Sequence, residues 1–228
     1  MYFNKQTNCR MKRLAITLNL CLLTFIVSAQ SETKKYVDTE AEAVLTAVQK
    51  RLASYSTVKM GFLLQTQKND KIVSEYKGTL LVKQQKYILD MENLKVFCNG
   101  ETLWTYLVDA KEVNVTDYDS SDEEQLNPLH LMNTYKQHYT IKMIREEQQR
   151  GVMLQIIDLT PKHSSAIAKV RLIINKEKKQ IYRMIVSEKD GTNHTYFVES
   201  FLVNQRVDDS KFDFNAALYP NVELIDLR

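Results

Sequence analysis

Val96-Phe97-Cys98-Asn99-Gly100-Glu101-Thr102-Leu103-Trp104-Thr105-Tyr106 is the stretch on which the architecture turns. Two runs rich in β-branched and aromatic residues flank Asn99-Gly100, a pair that tolerates positive φ at both positions and so reads as a tight hairpin turn. Trp104 and Tyr106 are two apart and share one face of the returning strand. The same period of two continues upstream. Tyr87, Leu89 and Met91 form one stripe; Tyr76 to Lys83 puts Leu80 and Val82 on one face and Leu81 on the other. Beyond a turn at Asn69-Asp70, Met60, Phe62 and Leu64 oppose Leu63 and Gln65, and downstream Val113 to Tyr118 closes the meander. Connections this short join antiparallel strands, since parallel pairs need long crossovers.

Two segments break the period. Thr39-Glu40-Ala41-Glu42 reads as a capping box, and Val44, Leu45, Val48 and Leu52 follow on one stripe, predicting a helix from Thr39 to about Ser54. Asn127-Pro128 offers an N-cap and an N1 proline, with Leu129, Leu131, Met132 and Tyr135 at helical spacing behind it. Between the first meander and this helix, Asp117 to Glu124 holds five acids in eight residues. A calcium loop would carry Gly sixth and Glu twelfth, where this chain has Asp122 and Pro128, so a solvated loop is expected. The second half reads as strands at Tyr139 to Ile144, Val152 to Leu159, Lys169 to Asn175, Ile181 to Glu188 and Thr195 to Val203. A tail with Phe212, Phe214 and a last extended piece, Val222 to Asp226, follows. The pattern predicts an α+β domain of about eleven consecutive strands, one leading helix and one inserted helix.

Composition narrows the function. The chain has 228 residues, 44% hydrophobic and 26% charged, with only 5 Gly and 3 Pro, and no glycine-rich phosphate loop. The net charge of +3 belongs to the start of the chain: removing Lys5, Arg10, Lys12 and Arg13 leaves 27 basic against 28 acidic groups. Nucleic acid is not an expected partner. Lys12-Arg13, the apolar run Leu14 to Val27 and the small Ala29 read as a Sec-type signal peptide cut after Ala29, with residues 1–10 an extended start, 30–37 a linker and 38–228 one exported domain. Asn19 and Leu20 before Cys21 do not make a lipid-attachment site. The one thiol of the mature chain, Cys98, lies between apolar residues and reads as a small buried hydrophobe.

Catalytic readings find no support. His130, His138, His163 and His194 lie far apart, with His163 and His194 beside turns where a solvated imidazole is the default. No catalytic or metal constellation is present, and neither an enzyme nor a cofactor is expected. The strands carry another signal: Val152 to Ile157, Tyr196 to Val203, Ile181 to Val186 and Leu80 to Val82 are apolar on both faces. Either a curved sheet keeps more apolar surface inside than its own packing needs, as a carrier of apolar cargo would, or an ordinary half-barrel core is plugged by its helices.

Cys98 to Tyr106 resembles the D-G-x-x-L-W-x-Y hairpin of the periplasmic outer-membrane lipoprotein carrier family, LolA. Other landmarks agree in order: Gly78 to Lys83, Leu126-Asn127-Pro128-Leu129, Leu159-Thr160-Pro161-Lys162 and Phe212-Asp213-Phe214. The resemblance implies an incomplete, open antiparallel β-barrel covered by a helical lid. A monomeric, cofactor-free chaperone of this kind takes acylated lipoproteins from an inner-membrane ABC transporter to an outer-membrane acceptor. It points to Phe62, Leu64, Leu81, Tyr87, Leu89, Trp104 and Tyr106 as cavity-lining candidates, and to Val44, Leu45, Val48, Leu52, Leu129 and Met132 as lid residues. The family's Arg-Pro pair, whose Arg latches the lid, is replaced by Gln84-Gln85, so Lys83 or Lys86 become alternative latch donors. A lipid- or lipoprotein-sensing module on the same scaffold is the competing expectation.

Overall fold

The computed structural model describes residues 38–119 and 128–228, with Pro128, Leu129 and His130 placed by backbone alone. The leader, its cleavage point, Cys21, the linker, most of the acidic loop, Leu126-Asn127 and the Leu129 side chain lie outside the described residues.

Strict alternation yields one sheet of twelve strands. The first meander comprises β1 (Val58–Lys68), β2 (Lys71–Lys83), β3 (Lys86–Met91), β4 (Leu94–Cys98), β5 (Thr102–Leu107) and β6 (Glu112–Asp117). The second comprises β7 (Tyr139–Gln149), β8 (Val152–Pro161), β9 (Ile167–Asn175), β10 (Gln180–Glu188) and β11 (Thr192–Val203), with β12 (Glu223–Asp226) after it. The two meanders join where β1 pairs with β11, from Val58↔Val203 to Lys68↔Thr192. The order β12-β6-β5-β4-β3-β2-β1-β11-β10-β9-β8-β7 leaves β12 and β7 as unjoined edges, so the barrel is open.

Local turn chemistry explains the register. Asn69 and Asp70 both hold positive φ, 51° and 60°, the requirement of a type I′ hairpin. The expected Asn99-Gly100 turn is shifted by one residue. Asn99 N–H donates to the Thr102 carbonyl at 3.3 Å, so Gly100 and Glu101 are the central pair, with Gly100 at φ +94°. That is the position where a type II′ turn needs glycine. Asn99 instead closes the turn from its side chain, accepting from the Glu101 and Thr102 amides.

Helix α1 (Thr39–Ala53) is capped one residue earlier than the capping box predicts. Asp38 accepts the Ala41 amide at 3.0 Å through Oδ1 and the Met143 amide of β7 at 2.8 Å through Oδ2. One carboxylate thus satisfies an orphan donor of the helix and ties the helix to the edge strand, a task that a Thr hydroxyl at the cap cannot share. These two bonds hold the Asp38 carboxyl below its ordinary range. Helix α2 (Pro128–His138) runs three residues past the predicted end at Tyr135.

Both helices lie on one end of one sheet face. Ala41, Leu45 and Val48 of α1 and Leu131, Met132 and Tyr135 of α2 are buried against Ile157, Leu159, Val170, Leu172, Ile174 and Val186. Val44 and Leu52 pack at the margin of this core. Among the described residues no helix is long and apolar enough to cross a membrane.

The last segment departs from the all-antiparallel expectation. Residues 204–222 are long enough for a crossover, and β12 lies parallel to β6. This strap covers the opposite face of β4 and β5: Phe214 and Tyr219 stack at 5.0 Å and meet the Phe97 and Tyr106 rings. Part of the double-faced apolar pattern is therefore ordinary packing beneath the chain's own tail. Leu154, Ile156 and Ile173 bury another part on the opposite face of β8 and β9.

Candidate functional site

Alternation puts Met60, Phe62 and Leu64 of β1 on the face shared with Leu80 of β2, Tyr87, Leu89 and Met91 of β3, and Leu94 and Val96 of β4. These residues surround a cavity of ≈ 310 Å³ whose remaining wall is Ile181 and Met184 of β10 with Tyr196 and Val198 of β11. Strands β10 and β4 stand five places apart in the sheet, about 24 Å if it were flat. Only a sheet curled on itself brings both to one cavity. Gly78 makes room inside: a Cβ there would run into the Phe62 ring and the Met91 side chain, so the glycine lets Phe62 lie flat across its cross-strand partner.

Among the described residues no charged side chain lines this space. Its polar atoms are the phenols of Tyr87 and Tyr196, and burial, aided by the nearby Glu188 carboxylate, pushes the Tyr196 phenol above its ordinary range. Tyr196 therefore stays a neutral hydrogen-bond donor. The volume is about twice that of the ~150 Å³ apolar cavity that stays dry and admits benzene. At about 30 Å³ per small group it holds about ten methylene-sized units. Such a lining suits an apolar guest, which it would shield from water.

The candidate residues divide cleanly. Phe62, Leu64, Tyr87 and Leu89 line the cavity. Leu81 alternates with Leu80 and Val82 and so faces the other way. Trp104 and Tyr106 do not line it either; they pack with Val113, Val115, Phe214 and Tyr219 under the C-terminal strap. Leu45, Val48 and Met132 are buried between the helices and the sheet, with Val44 and Leu52 half-buried beside them. Met60, Leu80, Met91, Leu94, Val96, Ile181, Met184, Tyr196 and Val198 are the lining residues that sequence reading did not assign to the cavity. Cross-strand parity with Phe62 and Leu89 was the signal that marks most of them.

Gln84 and Gln85 border a second cleft of ≈ 290 Å³, walled by Gln49, Leu52 and Tyr55 of α1 and its end, Met132 and Asn133 of α2, and Val58 and Val82. The position where the resemblance places the latch thus borders both helices. Among the described residues neither glutamine gives a side-chain hydrogen bond to them. The lysines beside it are used elsewhere. Lys83 Nζ donates to the Val207 carbonyl at 2.8 Å and to Asp209 at 2.6 Å, and Lys86 Nζ donates to Asp209 at 2.9 Å. They fasten the strap rather than the helices, and they hold the Asp209 carboxyl down at about 2. Cys98 is fully buried with a free thiol, raised by burial, in the same apolar cluster as Phe62 and Tyr87. His194 is not the solvated residue expected beside a turn: it is half-buried and bonded at both ring nitrogens.

A sequence model described as outer membrane lipoprotein carrier protein LolA matches residues 53–215. Among curated proteins none matches the chain. Among solved structures, an uncharacterized conserved protein from Thermus thermophilus superposes with a TM-score of 0.57 at 10% identity, over 82% of this chain and 99% of that one. A putative outer membrane lipoprotein-sorting protein domain from Vibrio parahaemolyticus gives 0.45 at 11% identity, over 76% and 97% of the two chains. A LolA superfamily protein from Nitrosomonas europaea gives 0.43 at 13% identity, over 76% and 97%.

Proposed function

The chain belongs to the outer membrane lipoprotein carrier protein LolA family, and on that premise we propose that its apolar cavity receives the acyl chains of lipoproteins and that the protein carries them through the periplasm. The supporting observation is the ≈ 310 Å³ of space that thirteen uncharged side chains line and do not fill. On this reading the leader directs export and is removed after Ala29. An inner-membrane ABC transporter supplies the cargo, and an outer-membrane acceptor takes it from a monomeric carrier.

The energetics set the terms of such a cycle. Each buried methylene contributes ~0.8 kcal/mol, so about ten of them give about 8 kcal/mol, an affinity on the order of micromolar. Longer chains would bind too tightly to release unless loading costs the protein something. α1 and α2 supply that cost as a lid. Ile181 and Met184 belong both to the helix-covered core and to the cavity wall, so cargo pressing on them disturbs the contacts of Leu45, Val48 and Met132. With Gln84-Gln85 at the latch position the lid is held by apolar packing, by the Asp38 bond to β7, and by Lys162, whose Nζ donates to the Lys136 and Gln137 carbonyls at the end of α2.

The test is incubation of the purified protein with a triacylated lipoprotein in mild detergent, beside the same lipoprotein whose acylated cysteine is replaced by serine. Co-elution of the acylated form alone is the expected result. Equal capture of both forms, or of neither, would refute the carrier reading.

A further inference from the structure

Beyond Leu64↔Tyr196, the next cross-strand pair on the same face is Thr66↔His194. A step of two residues moves about 6.8 Å along the strands, from the cavity wall toward the exposed turns at Asn69-Asp70 and Asp190-Gly191. On this rung the face changes from apolar to polar. Thr66 Oγ1 lies 3.1 Å from His194 Nδ1, and His194 Nε2 lies 3.1 Å from Glu188 Oε1. All three are half-buried. A carboxylate only accepts, so Nε2–H donates to Glu188, and the imidazole and Thr66 are held in one line. The other anchors of these hairpin ends are engaged with one another: Lys68 pairs with Asp190 at 2.9 Å, and Ser187 donates to Asn193 at 2.6 Å.

We propose that Thr66, positioned by His194 and Glu188 and flanked by the Tyr196 phenol, is a polar subsite at the cavity mouth that takes the ester carbonyl of an acyl chain whose tail fills the cavity. This inference rests on the acyl-binding reading above and adds the chemistry of the guest's polar end. Two hydroxyls stand on neighbouring rungs of this face. The Tyr196 hydroxyl has no hydrogen-bond partner among the described residues, and its phenol remains protonated beside Glu188. The Thr66 hydroxyl hydrogen can turn from Nδ1 to an arriving carbonyl, with water taking its place at the ring nitrogen. An ester carbonyl accepts both bonds and carries no charge. A fatty-acid carboxylate brings a second negative charge next to Glu188 and is disfavoured, since like charges at such separations repel in a poorly hydrated site. The subsite thus selects esterified chains over free fatty acids and sets their direction: carbonyl at the Thr66 rung, tail toward Met60 and Val198.

The test measures displacement of a hydrophobic dye from the wild-type protein by monolaurin, a neutral acyl ester, and by laurate. Three variants are compared: Thr66→Val, which keeps shape and loses the hydroxyl, Thr66→Ser, which keeps it, and Tyr196→Phe. Circular dichroism and thermal midpoints serve as fold controls. Wild type should bind monolaurin about tenfold tighter than laurate. Thr66→Val and Tyr196→Phe should each weaken monolaurin about tenfold with laurate nearly unmoved, and Thr66→Ser should restore wild-type affinity. Equal affinity for both ligands, or a Thr66→Val protein that binds monolaurin as wild type does, would overturn the subsite while leaving the apolar cavity as an acyl site. If neither ligand displaces dye from wild type, the acyl-binding reading falls together with the subsite.

Discussion

One sheet face carries two unlike interiors. Over β8–β10 it is sealed by α1 and α2, and the residues between, Leu45, Val48, Ile157, Leu159, Leu172 and Ile174, have essentially no exposure. Over β1–β4 the helices reach only Val58 and Val82, across the second cleft, and Phe62, Leu64, Leu89 and Leu94 border open space as well as one another. Composition does not separate the two halves, since both are built from Leu, Ile, Val, Met and aromatics. What differs is the supply of a second layer. Two helices of 15 and 11 residues are enough to cover about half of a twelve-stranded face, and the uncovered half curls into a pocket. The proposed binding function rests on that shortfall.

The contrast is sharpest in core truncation. Leu45→Ala, in the sealed half, should cost about 2–5 kcal/mol in urea unfolding. Leu89→Ala, beside the cavity, should cost about 1 kcal/mol or less, because few packing contacts are lost. Equal costs would mean that the halves are equally filled.

The sealed half also carries a polar clamp on its other face. Asp158, 12% exposed, takes two hydrogen bonds from Arg171 at 2.6 and 2.8 Å, with Lys169 at 3.4 Å. Burial raises the Asp158 carboxyl, but the Arg171 bonds and charge outweigh it and leave it below its ordinary value. A lowered folded pKa stabilises in full above the unfolded value, about 4, and the contribution is lost as pH falls through the folded one. Arg171→Met should therefore cost about 2 kcal/mol near neutrality, and less as the pH drops below about 4. A penalty that is independent of pH, followed by denaturation from neutral to acid, would remove the clamp from the account.

In the hollow half, Gly78→Ala should overpack against Phe62 and Met91, costing about 1–3 kcal/mol and reducing binding of a hydrophobic dye. Unchanged dye binding would place the dye outside this cavity. The smallest effect is expected at the strap. Lys83→Ala with Lys86→Ala should leave the unfolding midpoint nearly unmoved and speed amide exchange across residues 204–222, because surface pairs contribute little to global stability. The Asp209 carboxyl that they hold has its folded pKa lowered to about 2, so the same loosening should occur in the wild type as pH falls below the ordinary carboxylate range.

Much of this was legible in the sequence because it is local. Alternation located the hairpins, and the stripe of Val44, Leu45, Val48 and Leu52 located α1. Parity also grouped Phe62 with Leu64 and Trp104 with Tyr106. It does not say which of two apolar faces curls inward, and the Trp104 face lies under the strap. That assignment depends on Phe214 and Tyr219, more than a hundred residues away in sequence. The parallel β12 and the Lys83–Asp209 contact are invisible for the same reason. Thr66 was not named, and His194 was read as solvated, because a histidine near a turn looks solvated until its strand partner is known.

The most direct measurement places a photo-crosslinking residue at Leu89 or at Trp104 and exposes each protein to an acylated lipoprotein. The account predicts acyl adducts from Leu89, inside the cavity, and none from Trp104, beneath the strap. Adducts formed at Trp104 with Leu89 silent would contradict it.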